Sequence, residues 1–190
     1  MLLLVGLGNP GSNYTNTRHN IGFKIIDAIN LHFKLSKQKP KFKGLLTTGN
    51  IDSKKIYAIK PLTFMNNSGT AIKELMDYFK IDAKDVFVFH DDMDIDFGKI
   101  KAKIGGSSAG HNGIESIDKF IGKDYSRVRV GIGHPKQKKK VNNHVLEDFK
   151  EDEEEKIKEI TDSIVKLIPT LIEKKIDLFS SKVNQNINGI

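Results

Sequence analysis

The order of hydrophobic periods along the chain predicts an α/β fold: a single domain with a mixed, mostly parallel twisted sheet flanked by helices. Three observations carry this. Strand-like and helix-like segments interleave from one end to the other. The run Val86-Phe87-Val88-Phe89-His90 is apolar without alternation, as a central strand covered on both faces requires. KIKAKIG at 99–105 and SRVRVGIG at 126–133 alternate strictly, as half-exposed strands do. A length of 190 residues at 38% hydrophobic content suits one core, so one domain is expected over 1–190.

Taken in order, Leu2–Gly6 reads as a buried strand. From Ile21 the period becomes helical, with Ile21, Ile25, Ile29 and Phe33 on one face and Ile26 beside them. Leu45–Ile51 and Lys55–Lys60 are strand-like and joined by Asp52-Ser53-Lys54, a hairpin signal. A helix follows from about Ser68, carrying Ile72, Leu75, Met76 and Phe79. After the strand at 86–90 and the alternating one at 99–105, GGSSAGHNG reads as a flexible loop and IESIDKFI as a short helix. Two helices separated by Pro169 close the chain, with about 183–190 expected to fray.

Charge and composition narrow the function. The chain carries a net +7, yet Val145–Asp162 holds nine acids against three lysines, so the remainder carries +13. Lys34–Lys60 contributes eight lysines with Asp52 as its one acid, and 136–140 adds four more. A basic body of this size points to an anionic partner such as nucleic acid. The acidic stretch Glu147–Glu155 reads as a solvated helix face. No apolar run is long enough to span a membrane. MLLLVG is too short for a signal h-region and has no basic residues before it. Cysteine is absent, so no disulfide and no thiolate chemistry is expected, and a cytoplasmic protein is the economical reading.

The stretch VGLGNPGSNYTNTRHNIG spells Gly6-x-Gly8-x-x-Gly11 directly after a strand, as a dinucleotide-binding turn does. That turn needs its third glycine in the first turn of a helix whose amides meet a pyrophosphate. Here Pro10 precedes Gly11, and about ten residues pass before a helical period begins. No second strand follows that ends in a ribose-binding acid, since Asp27 falls mid-helix. The glycines instead suit a tight exit that leaves Asn9 at the carboxyl end of the sheet, with His19 arriving nearby.

Further polar clusters sit after strands or at helix starts: Asn66 and Asn67 in KPLTFMNNSG, His90, Asp91 and Asp92 in FHDDMD, and His111 and Asn112 in GHNG. Each alone is an ordinary cap; together they suggest one site. No Ser-x-x-Lys, Gly-x-Ser-x-Gly or cysteine offers a covalent nucleophile. His90, Asp91, Asp92 and Asp94 are close in sequence but lack the spacing of a His-x-x-x-His or EF-hand metal site, so no metal is expected. What remains suits hydrolysis by an activated water. A neutral imidazole takes the proton, a carboxylate on its other nitrogen fixes the tautomer, and amide NH₂ groups hold the carbonyl and developing oxyanion.

VGLGNPG, TRHNIG, KPLTFMNNSG, HDDMD, GGSSAGHNG and RVRVGIGHP, in this order and spacing, resemble bacterial peptidyl-tRNA hydrolase from about Leu3 to Phe149. The resemblance implies cleavage of the ester between a peptide and the 3′ ribose of tRNA, with no cofactor, by a monomer. It implies His19 as general base and Asp91 as its orienting partner. Asn9, Asn66 and Asn112 would line the site, with Met65 and Tyr14 as walls. Lys103 and Arg129 would hold tRNA phosphate, and the loop Gly105–Gly110 would act as a lid. A non-catalytic RNA-binding relative, a dinucleotide-dependent oxidoreductase and a peptidase on blocked amides are the alternatives that remain open.

Overall fold

The computed structural model describes residues 1–135 and 141–189. One seven-stranded sheet runs through it: β1 (Leu2–Gly6), β2 (Lys39–Lys41), β3 (Gly44–Ile51), β4 (Lys54–Pro61), β5 (Val86–Asp92), β6 (Ile100–Ile104) and β7 (Ser126–Gly131), in spatial order β2-β3-β4-β1-β5-β7-β6. The centre is parallel, with β1 between β4 and β5 and β5 beside β7. The flanks are antiparallel, β2 on β3, β3 on β4 and β6 on β7. The sheet is mixed as expected, but the pairings divide evenly rather than mostly in parallel. The β3–β4 hairpin and the pairing of β6 with β7 each add an antiparallel edge. Asp52 and Ser53 both take positive φ in the hairpin turn, the twist that a two-residue connection needs.

The helices are α1 (Ile21–His32), α2 (Ser68–Phe79), α3 (Asn112–Ile121), the short α4 (Val141–His144), α5 (Glu151–Lys166), α6 (Ile168–Ile172) and α7 (Ile176–Asn188). One face of the sheet packs α1 with α5, α6 and α7 around Leu2, Leu4, Phe87, Phe89 and Val128. The other packs α2 and α3 around Leu3, Val5, Val86, Val88 and Ile114. The expected pair of closing helices is three, because the chain turns at Leu167 and Pro169 opens α6 from its first turn, where a missing N–H costs nothing. The lysine run at 136–140 lies outside the described residues.

The terminal segment is helical through Asn188 rather than frayed from 183, and the reason is specific. Asn184 of α7 accepts from the Ile100 amide at 2.9 Å and donates to the Ile100 carbonyl at 2.8 Å, while Ser180 Oγ accepts from the Ala102 amide. These side chains satisfy the free edge of β6, and Val183 and Ile187 are buried beneath. The opposite edge, β2, is three residues long and carries Pro40 between two exposed lysines, which blocks further strand pairing.

The glycines after β1 serve packing. A Cβ on Gly6 would lie 2.2 Å from the Gly22 carbonyl oxygen, and one on Gly22 would lie 2.3 Å from the Leu7 amide and 2.4 Å from the Phe89 carbonyl oxygen. α1 therefore rides directly on the ends of β1 and β5. The chain leaves β1 for the α1 face but reaches β5 from α2 on the other face. A crevice opens at their carboxyl ends, where such sheets bind ligands.

Candidate active site

A cleft of about 400 Å³ occupies that crevice, lined by Asn9, His19, Met65, Asp91, His111 and Asn112, with Val145 and Leu146 on its rim. His19 comes from a single 3-10 turn, Arg18–Asn20, at the entrance to α1. The segment after α4 straps this turn down: the Arg18 amide donates to the Glu147 carbonyl at 3.0 Å and the His19 amide to the Val145 carbonyl at 2.9 Å. Below it, Arg18 is buried and pairs with Glu153 of α5 at 2.6 Å, with its guanidinium over the Phe149 ring. The acidic segment is largely exposed, as expected, but two of its acids are engaged. Glu153 and Glu154 pair with Arg18 and Lys24, and four acids fill the first turn of α5, where the helix dipole favours them.

Asp91, 1% exposed near the end of β5, is the hub. Its Oδ1 accepts from His19 Nδ1 at 2.8 Å and from His111 Nε2 at 3.1 Å. His111 caps α3 through Nδ1, which accepts from the Gly113 and Ile114 amides. An accepting Nδ1 carries no proton, so the His111 proton sits on Nε2 and points at Asp91. Asp91 is equally decisive for His19, because a carboxylate holds the proton on Nδ1 and leaves the Nε2 lone pair free. Sequence reasoning placed His111 in the right cluster but missed this contact, since a helix-capping histidine gives no sign of a carboxylate 20 positions away.

Burial opposes ionisation of both members of the pair, and their mutual attraction outweighs it. Burial pulls the His19 imidazole down, but the Asp91 charge and hydrogen bond raise it above its ordinary value. Burial raises the Asp91 carboxyl, yet His19 and His111 hold it well below the usual range. Behind Asp91, His90 donates from Nδ1 to the Asp91 backbone carbonyl at 2.7 Å and lies edge-on to His111. Burial, joined by the neighbouring His111, keeps its pKa well down, so it stays neutral.

Asn9 is locked from three sides. Its amide donates to Asn20 Oδ1, its carbonyl accepts from Asn20 Nδ2, and its own Oδ1 accepts from the Met65 amide at 2.9 Å. The side-chain oxygen is thereby spent, which turns the Asn9 NH₂ toward the cleft as a donor. Met65 forms the floor, and α3 approaches it so closely that a Cβ on Gly113 would sit 2.5 Å from its sulfur. Asn112 reaches the rim. Tyr14 and Asn66 do not line this cleft. Tyr14 ends the turn Ser12–Tyr14, and Asn66 lies exposed in the turn Met65–Asn67, one position past the residue that faces inward.

Lys103 and Arg129 lie on β6 and β7, diagonal across the pairing of Lys101 with Arg129 and of Lys103 with Arg127. Arg129 Nε donates to Asp92 at 2.7 Å. Arg127, expected on the exposed face, is 1% exposed and bound to Asp118 and the Ser107 carbonyl. Its buried charge is matched by the Asp118 carboxylate of α3, while its other terminal nitrogen anchors the glycine-rich loop. Among the described residues, His19, Asp91 and His111 are the group whose ligand atoms come close enough to hold a cation. The nitrogens that face Asp91 are spent as donors to it, so a cation held between these two and the carboxylate would have to displace two protons.

A mixed α/β sheet with a carboxylate-held histidine at the carboxyl ends of its central strands defines the class: an α/β protein equipped for proton transfer at an imidazole. The chain belongs to the peptidyl-tRNA hydrolase family, whose model matches residues 3–189. A peptidyl-tRNA hydrolase of Pelagibacter ubique is 70% identical over 97% of this chain and 99% of its own length. One from Bartonella quintana is 46% identical over 97% and 96%. A crystal structure of peptidyl-tRNA hydrolase from Acinetobacter baumannii superposes with a TM-score of 0.90 at 34% identity, covering 97% of this chain and 94% of that one.

Proposed function

We propose that this protein hydrolyses the ester joining the carboxyl end of a peptide to the 3′ ribose of tRNA, and so returns tRNA lost from stalled ribosomes. The observation that carries the reading is the 2.8 Å bond from His19 Nδ1 to the buried Asp91, inside a cleft that Asn9 and Asn112 also line. His19 Nε2 takes a proton from water, which attacks the ester carbon. Asp91 stabilises the imidazolium that forms, and the 3′ oxygen leaves with that proton. The Asn9 NH₂, fixed by the Met65 amide, supports the oxyanion, since a donor already held in place needs no reorganisation as charge develops.

The tRNA body meets Lys103 and Arg129 through phosphate, which gives affinity without reading sequence. This suits an enzyme that serves every tRNA, acting as a cytoplasmic monomer without a cofactor. No described helix is long and apolar enough to cross a membrane. The test is release from an N-blocked aminoacyl-tRNA beside the same tRNA carrying a free amino acid, with chelator present. Rapid release from the blocked substrate alone is expected. Tight tRNA binding with no release would make the protein a non-catalytic RNA-binding relative.

A further inference from the structure

The end of β5 carries two consecutive carboxylates with different partners. Asp91 faces His19 and His111, whereas Asp92, 8% exposed, serves Arg129. Asp92 Oδ2 accepts from Arg129 Nε at 2.7 Å and Oδ1 accepts from the Asp94 amide at 2.9 Å. With both oxygens engaged, the carboxylate cannot rotate without losing a bond. The contact takes the Nε side of the guanidinium. The terminal Nη1 and Nη2 of Arg129 bond to none of the described residues, and this side chain is 18% exposed.

Around this pair the charges are sorted. Arg127 is neutralised by Asp118 at 2.7 Å. Lys103 makes no ion pair among the described residues, and its ammonium feels Arg129 first, then Arg127, and Asp92 in the opposite sense. A guanidinium held by one edge presents its other edge in a fixed plane, while an unheld one samples many rotamers.

We propose that Asp92 is a positioning residue for phosphate binding: it grips Arg129 at Nε, so that the Nη edge and the Lys103 ammonium form a fixed two-cation seat for one backbone phosphate of the RNA. Because Asp91 and Asp92 are neighbours on one strand, the seat keeps a set distance from His19. The proposal rests on the reading that Lys103 and Arg129 contact tRNA phosphate.

Asp92→Asn keeps shape and removes one negative charge. It should lower kcat on N-blocked aminoacyl-tRNA about tenfold through lost register, without weakening the Kd for uncharged tRNA at low salt, since the seat becomes more positive. In an Arg129→Ala background the same change should cost less than about twofold, because the group it acts through is gone. Arg129→Lys, which keeps the charge but replaces the two-edged fork with a single point of contact, should reproduce the loss and serves as a second variant. A collapsed strand end would instead lower kcat equally with and without Arg129. Equal losses in the two backgrounds, or a native kcat for Asp92→Asn and Arg129→Lys while Arg129→Ala is impaired, would overturn the positioning role alone. An Arg129→Ala variant with native kcat/KM and native salt dependence would overturn both this role and the phosphate reading beneath it.

Discussion

Replacing Asp91 with Asn tests the electrostatics of the site sharply, because shape is kept and one charge is removed. In the native cleft, burial lowers the His19 pKa while the Asp91 charge and its 2.8 Å hydrogen bond raise it past the ordinary value. Asn leaves burial in place and removes the charge. His19 then titrates below about 6.5. The base acts when neutral, so the acidic limb of kcat/KM must move to lower pH in the variant. The plateau rate must fall, since the imidazolium loses a charge-assisted bond worth about 1.5–3 kcal/mol, equivalent to about 10- to 150-fold. Initial rates on N-blocked aminoacyl-tRNA between about pH 5 and 8.5 read both effects. A limb that stays in place or moves up, or a plateau within about threefold of native, would refute the reasoning.

The same shifts make stability depend on pH in a defined window. Asp91, with its folded carboxyl well below the usual range, contributes stability above about pH 3.9 that is lost as pH falls through the folded value. His19, raised on folding, contributes stability fully present below about pH 6.5 and lost as pH rises through its folded value. Native Tm should therefore exceed that of Asp91→Asn most between about pH 4 and 6.5. Lys103→Ala with Arg129→Ala should reduce the slope of log Kd against log salt for tRNA by about two; an unchanged slope would place the phosphate track elsewhere. Gly22→Ala sets a methyl 2.3 Å from the Leu7 amide and should cost about 3 kcal/mol, or about 6–12 °C in Tm; a native melt would contradict the packing account. Glu153→Gln weakens the one carboxylate contact of the buried Arg18 and should cost about 1–3 kcal/mol near neutral pH. Because Arg18 holds the Glu153 carboxyl below its usual range despite burial, that deficit should shrink as pH falls below about 4.5.

Much of this fold is legible in periodicity. The apolar run at 86–90 and the helical stripe from Ile21 become the elements they predict because local period and burial agree, and the alternation at 99–105 and 126–131 gives strands in place, although the second is buried on both faces. Errors arise where one side chain answers to a distant one. Arg127 alternates like a surface residue but is buried because Asp118 waits on α3. The tail looks too polar to pack, yet Asn184 and Ser180 are the groups that satisfy the β6 edge. The acidic stretch looks solvated, yet Glu153 answers Arg18 from 135 positions away.

The site divides in the same way. His19, Asp91, Asn9, Met65 and Asn112 meet in one cleft; the positions of the four polar residues after strands or at helix starts suggest this, and Met65 is implied by the resemblance alone. Tyr14 and Asn66 share those local contexts but lie outside it: of the turn Met65–Asn67 only Met65 goes in, since three residues per turn put one of them on the buried side, and the turn Ser12–Tyr14 buries none. His111 is hidden by its second role as a helix cap, which alone would explain its presence. The Gly6-x-Gly8-x-x-Gly11 spelling belongs to helix–strand contact between Gly6 and Gly22, not to a phosphate loop.

The most direct test of the central claim is a single-turnover measurement on N-blocked aminoacyl-tRNA with native protein and His19→Ala, paired with tRNA affinity for each. General-base catalysis by His19 predicts a fall in the cleavage rate of about 10²- to 10⁴-fold with affinity nearly intact. Cleavage that survives the substitution, or tRNA binding that is lost with it, would show that His19 shapes the cleft rather than activating the water.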